Sequence, residues 1–198
     1  MLDLVHFICY YRSMNQSEKK KQAILAVTFR LLSEKEVKNI TVDEISEQAE
    51  VSKVTLFKYF QSKNHLMNLV IMRAFEHMAE DVREIIDSDL NFEETYESIT
   101  QMKLRQVQRY TPIFQKNLMT QYSESPDFFD TDTINVQMSV YTELFDKGQR
   151  EGKISPELTQ ADFLFILNIF IEGMKGLEAE TLFKKTPLIT RFFLNGFS

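Results

Sequence analysis

Apolar residues recur at three- and four-residue intervals along almost the whole chain, which predicts helices throughout. Residues 18–33 carry a stripe of Ile24, Leu25, Val27, Thr28, Leu31 and Leu32. After a polar connection at 34–40, Ile45 and Ala49 share one helical face, as do Leu56 and Phe60. From Ser62 the pattern Leu66, Leu69, Val70, Phe75, Met78, Val82 and Ile85 or Ile86 predicts one long helix to about Ile86. DSDLN at 87–91 breaks it. A helix over 92–110 follows, with Tyr96, Ile99, Met102, Leu104, Val107 and Tyr110 facing inward. Pro112 suits the first turn of a helix at 112–122. Another starts near Ser125-Pro126 and runs through Ile134, Met138, Tyr141 and Phe145 to about Gly148. GQREGKISP at 148–156 is a turn, ended by Gly148 or Gly152, with Pro156 preventing continuation. Thr159 with Asp162 can cap the helix that contains ADFLFILNIFIEGM, and PLITRFFLNGF at 187–197 gives a last short one.

The stretch TVDEISEQAEVSKVTLFKYFQSK at 41–63 carries the most information. Thr41 can cap a first helix, with Glu44 at the capping-box position. Ser52 can cap a second, and Val51 can plug the corner between them. Two short helices at a steep angle form a helix-turn-helix, whose second helix enters the DNA major groove. Its outward residues would be Lys53, Val54, Phe57 and Lys58. Spacing alone leaves open a second reading, a helical protein-interaction module that never binds DNA.

This stretch resembles the DNA-binding domain of the tetracycline repressor (TetR) family. The resemblance rests on Thr41, Ile45, Ala49-x-Val51-Ser52 and Thr55-Leu56-Phe57-x-Tyr59-Phe60-x-Ser62-Lys63, with Leu66 beyond and an amphipathic helix upstream. It is close over about residues 18–70. It implies DNA contacts from Thr41, Ser52, Lys53, Val54, Thr55, Phe57, Lys58, Tyr59 and Lys63, with Lys63 on a phosphate. Three positions depart from the family pattern. Glu50 stands at a usual turn glycine, Val54 where a glycine often opens the recognition helix, and Phe57 where tyrosine is common. A positive φ at Glu50 would cost about 1 kcal/mol.

Charge sharpens the division of the chain. The net charge of −6 argues against nucleic acid by itself. Residues 12–73, however, hold eleven Lys/Arg against seven acids, a balance of +4 that leaves −10 for the rest. A basic unit on an acidic body suits phosphate binding by that unit alone. Cys9 is the one cysteine, so no intrachain disulfide is expected, in keeping with a cytoplasmic protein. The apolar start MLDLVHFICYY lacks a basic leader region, and Met14 is a second possible start. The most apolar stretch, nine residues between Asp162 and Glu172 interrupted by Asn168, is too short to span a membrane. His77, Glu80, Asp81 and Glu84 fall at helical spacing but read as a solvated acidic face, not a metal site. With no glycine-rich phosphate loop, HExxH or nucleophile elbow, nothing supports an enzyme, and no cofactor is expected.

The expected architecture is therefore all-α: an N-terminal extension (1–17), a three-helix helix-turn-helix domain (18–65, motif about 41–60) and a helical effector-binding and dimerisation domain (66–198). Tyr96, Met102, Gln106, Tyr110, Phe114, Met138, Tyr141, Phe163 and Phe170 are the candidate lining of an apolar pocket, which the family resemblance implies. Met119, Gln101, Gln137 and Asn168 are further candidates there. For any single one of these residues, a place in the helical core is the better reading. Surplus apolar surface on the last two helices points to a homodimer, with Phe165, Ile169, Phe192 and Phe193 as candidate interface residues. The expected function is a ligand-responsive regulator, a repressor that binds a palindromic DNA operator as a dimer and is released by an apolar or aromatic effector.

Overall fold

The computed structural model describes residues 15–125, 128, 131–174 and 177–196, without the side chains of 131–137, 179 and 183. The expectations for residues 1–14, including Cys9 and Met14, and for the Gln137 side chain and Phe197 lie outside the described residues. Among the described residues, ten α-helices follow in order: α1 Gln16–Glu34, α2 Val42–Gln48, α3 Lys53–Phe60, α4 Lys63–Arg73, α5 Met78–Ile86, α6 Phe92–Gln108, α7 Pro112–Glu124, α8 Thr131–Arg150, α9 Gln160–Met174 and α10 Ala179–Asn195. A 3-10 turn, Val37–Asn39, joins α1 to α2. The described residues contain no strand, and none of their helices is long and apolar enough to cross a membrane.

Local signals start most helices. Thr41, Ser52, Ser62 and Thr111 each accept a hydrogen bond from the backbone N–H three residues on. Asn91 and Glu94 form a full capping box on α6. Thr159 and Asp162 bond reciprocally before α9, as their spacing predicts. The end of α8 shows why both glycines are there. Gly152 takes φ +68°, its N–H reaches Gln149 and that of Lys153 reaches Gly148, a left-handed C-terminal cap. A Cβ on Gly148 would lie 2.6 Å from Ile154 Cδ1 and 2.9 Å from the Phe92 ring, so only glycine lets the turn close.

Three apolar cores result. The first joins α1, α2, α3 and α4 through Ile24, Leu32, Ile45, Leu56 and Met67, and takes in Phe114 from α7. The second gathers Phe92, Phe145, Phe163, Leu167 and Phe193 in the body. The third, between them, holds Val82, Ile86, Ile99, Met102 and Val140. Buried Lys147 donates to the carbonyls of Ile86 and Ser88, placing a cation where the C-terminal end of α5 carries partial negative charge.

Two element predictions need correction. The single helix expected from Ser62 to Ile86 is two helices separated by a turn at residues 74–77. The Tyr110 hydroxyl donates to the Ala74 carbonyl at 2.7 Å, and the Met78 N–H bonds Phe75 instead of Ala74. A side chain inserted into the ladder in this way breaks a helix. The last helix begins at Ala179, not at Pro187, and carries that proline inside. Proline removes one ladder bond there, and it lies at an exposed position.

Candidate functional site

The short α2 and α3 are set by the turn between them. The Glu50 N–H bonds Glu47 and the Val51 N–H bonds Ser46, while Glu50 itself takes φ 54°. This is the same left-handed cap that Gly152 makes, here occupied by a residue with a Cβ. The turn does need a positive φ, so the strain expected of Glu50 is present. Leu56 and Phe60 are buried, which turns the opposite face of α3 outward. Val54 is 79% exposed and Phe57 43%, and Lys53 and Lys58 are exposed beside them. Lys53 pairs with the exposed Asp43. Lys58 has no hydrogen bond or ion pair among the described residues. Ser52 and Thr55 share a hydroxyl contact of 2.9 Å. Tyr59 leans back, its hydroxyl 2.9 Å from Ser17 Oγ and its ring under Lys21. Lys63 is held more tightly than a free phosphate contact: its Nζ donates to the Val37 carbonyl at 2.8 Å, and partial burial pushes its pKa down.

The body contains a cavity of about 410 Å³ with an almost wholly apolar wall. Its walls come from α4, α5, α6, α7, α8, α9 and α10, through residues such as Phe75, Val82, Val107, Met119, Tyr141 and Met174. Of the nine residues expected to line a pocket, Tyr141 does so. The others are placed elsewhere. Tyr96 stacks on Phe193 at 4.6 Å, and burial raises its pKa. Met102 fills the middle core. Gln106 donates to Asp81. Tyr110 stacks on Phe114 at 4.7 Å, and Phe114 is fully buried against α1. Phe163 is core, Met138 is exposed, and Phe170 packs against Phe192. The aromatic residues chosen for size are the ones the cores use.

The helix α7 belongs to both regions. Leu118, Met119 and Tyr122 form part of the cavity wall. Buried Asn117 donates to the carbonyls of Leu32 and Lys35 and accepts from the Val37 N–H. Gln121 donates to the side-chain carbonyls of Asn64 and Asn68, and both amides donate to Ser125 Oγ. Thr111 donates to the Ser33 carbonyl, and Lys116 pairs with Glu36 at 2.8 Å, which lowers the carboxyl pKa. This polar joint was missed from sequence. Neutral amides repeating every four residues at Asn64/Asn68 and Asn117/Gln121 are the signal that could have found it.

The last two helices leave apolar surface in water. Phe165 and Ile169 on α9 are 67% and 56% exposed, and Leu188 and Phe192 on α10 are 52% and 61% exposed. Phe193, expected at an interface, is instead buried in the body core between Tyr96 and Phe163. Among the described residues, no three His, Cys, Asp or Glu gather as a metal site; His77 touches only Glu76 and Glu80, all exposed.

A basic three-helix unit with an outward second motif helix, on an all-α body, defines a helix-turn-helix regulator. Residues 24–70 match the family described as bacterial regulatory proteins, tetR family. An uncharacterized HTH-type transcriptional regulator of Bacillus subtilis (strain 168), YdeS, is 36% identical over 77 residues. That match spans 39% of this chain and 37% of the relative. Among solved structures, the regulator FadR of Bacillus subtilis, in complex with stearoyl-CoA, superposes with a TM-score of 0.63 at 12% identity, covering 90% of this chain and 100% of that one. A TetR transcriptional regulator from Rhodococcus sp. RHA1 gives 0.59 at 16%, covering 93% and 100%. Residues 24–70 thus resemble the tetR family of bacterial regulatory proteins in sequence, and the rest of the chain shares the fold of these solved regulators.

Proposed function

We propose that the protein is a transcriptional repressor that binds a palindromic operator as a homodimer and releases it when an apolar or aromatic small molecule fills the body cavity. The observation that carries this reading is the double membership of α7. One helix supplies cavity wall and, through Asn117 and Gln121, grips α1, the 3-10 turn and α4. A ligand that favours one placement of α7 would then favour one placement of the reading head, by as much as its affinity differs between the two. The complex of FadR with stearoyl-CoA is an instance of ligand binding on this fold. The exposed apolar stripes of α9 and α10 support dimerisation, since two copies could bury them symmetrically.

The test is an electrophoretic shift with genomic fragments at two salt concentrations, the fragment retained then serving as operator. Lys58→Ala should lower the salt slope by about one. Lys63→Ala should do likewise if its ammonium leaves Val37 for a phosphate on binding. Val54→Gly should change which sequences are selected from random duplexes, because Val54 offers only apolar contact to thymine methyl groups. Phe165→Glu combined with Phe192→Glu should give a monomer by sedimentation and abolish the shift. No retained fragment at low salt would favour the protein-interaction reading instead.

A further inference from the structure

The cavity wall is not uniformly greasy, and the polar side-chain groups in it, among the described residues, can all donate a hydrogen bond. They are the Lys103 ammonium and the hydroxyls of Tyr122 and Tyr141. Among the described residues, no carboxylate, amide or imidazole lines it. Burial, with the fields of Tyr141 and Glu172, pushes the Tyr122 hydroxyl up to about 12, so it keeps its proton and can donate. Glu172, which contributes to that field, is not part of the lining. Lys103 sits half-buried on α6, one turn before Val107 in the same wall. Its Nζ lies 5.8 Å from the centre of the Tyr141 ring, and it has no hydrogen bond or ion pair among the described residues. A partly desolvated cation whose partner is only a ring face is under-satisfied, because a charged acceptor makes a shorter, stronger bond.

Building on the ligand-gated reading above, we propose that the effector is a monocarboxylic acid with an apolar tail, its carboxylate on Lys103 and its tail in the Phe75, Val82 and Met119 side of the cavity. A cationic effector would meet Lys103 with no counter-charge among the described residues of the wall. A neutral one would leave the ammonium where it is. The volume of about 410 Å³ falls in the range of small-molecule sites.

Isothermal titration of the full chain with octanoate, octan-1-ol and octylamine tests the chemistry. Octanoate should bind roughly tenfold or more tighter than the alcohol, the amine weakest, since a bond to a charged group exceeds a neutral one. Lengthening the acid by one methylene should tighten binding about fourfold until the cavity is full. Lys103→Met, which keeps the stem, should bring the acid down to the alcohol and leave the alcohol unchanged. An alcohol that binds as well as the acid, or an acid preference that survives Lys103→Met, overturns the proposal. Binding of none of the three takes down the cavity reading, and the proposal with it. Acid-selective binding that leaves operator affinity unchanged supports the ligand chemistry and contradicts the gating.

Discussion

The two sides of α7 solve opposite problems. Toward the DNA-reading unit the helix buries amides that bond across the joint: Asn117 with Leu32, Lys35 and Val37, Gln121 with Asn64 and Asn68. Toward the cavity the same helix shows Leu118, Met119 and Tyr122 to open space. Hydrogen bonds fix register and orientation, and a buried one left unmade is costly. Apolar walls have no such directional demand, and methionine in particular adapts to what it meets. The contrast teaches where a signal can be received and where it must be kept: the wall can yield to a ligand, while the joint must move as a unit or break.

Breaking the joint should give the largest effect. Asn117→Ala leaves two carbonyls and an N–H without partners in a site 1% exposed, and should cost about 3 kcal/mol in denaturant unfolding. A loss below 1 kcal/mol would show that water replaces the amide and that the joint is loose. On the other side, Leu118→Ala removes a half-buried side chain that already borders empty space. It should cost about 1 kcal/mol, well under the usual core value, because no new closed cavity forms. A cost near that of Asn117→Ala would mean the wall is as rigid as the joint.

The two left-handed caps provide a finer test, since Glu50 and Gly152 hold φ of 54° and 68° in equivalent turns. Glu50→Gly should stabilise the protein by about 1 kcal/mol, roughly 2–4 °C in melting temperature. It should also tighten operator binding slightly by removing a negative charge beside the DNA. Gly152→Ala should destabilise by about the same amount, since a Cβ there meets nothing within 4 Å and only the backbone strain counts. Equal and opposite shifts would place the Glu50 strain in the turn alone. No gain from Glu50→Gly would mean its side chain contributes something the hydrogen bonds do not reveal.

What could be read from sequence follows the same line. Thr41, Ser52 and Thr159 start helices because capping is a matter between residues three apart, and the helix-turn-helix was legible for that reason. The break after Arg73 was not, because it depends on a hydroxyl 36 residues away. Pocket residues were the hardest. Phe114 and Phe163 have the size and shape of a ligand wall, and those qualities also fill cores. Only packing decides between the two uses. Lys103, by contrast, carries no sequence signal that sets it apart from a surface lysine, and it is the cavity that places Tyr141 and Val107 near it.

Ligand-driven release requires α7 to carry the state of the cavity to the reading head. Ala79 lines the cavity from α5 and belongs neither to α7 nor to the DNA-reading unit. Ala79→Phe should therefore fill the cavity as a ligand would while leaving both sides of the joint untouched. Operator affinity, measured at one salt concentration beside the wild type, should fall about fivefold or more, the usual size of a coupling between sites, with the melting temperature maintained. A well-folded variant that binds the operator as tightly as the wild type would contradict the coupling through α7.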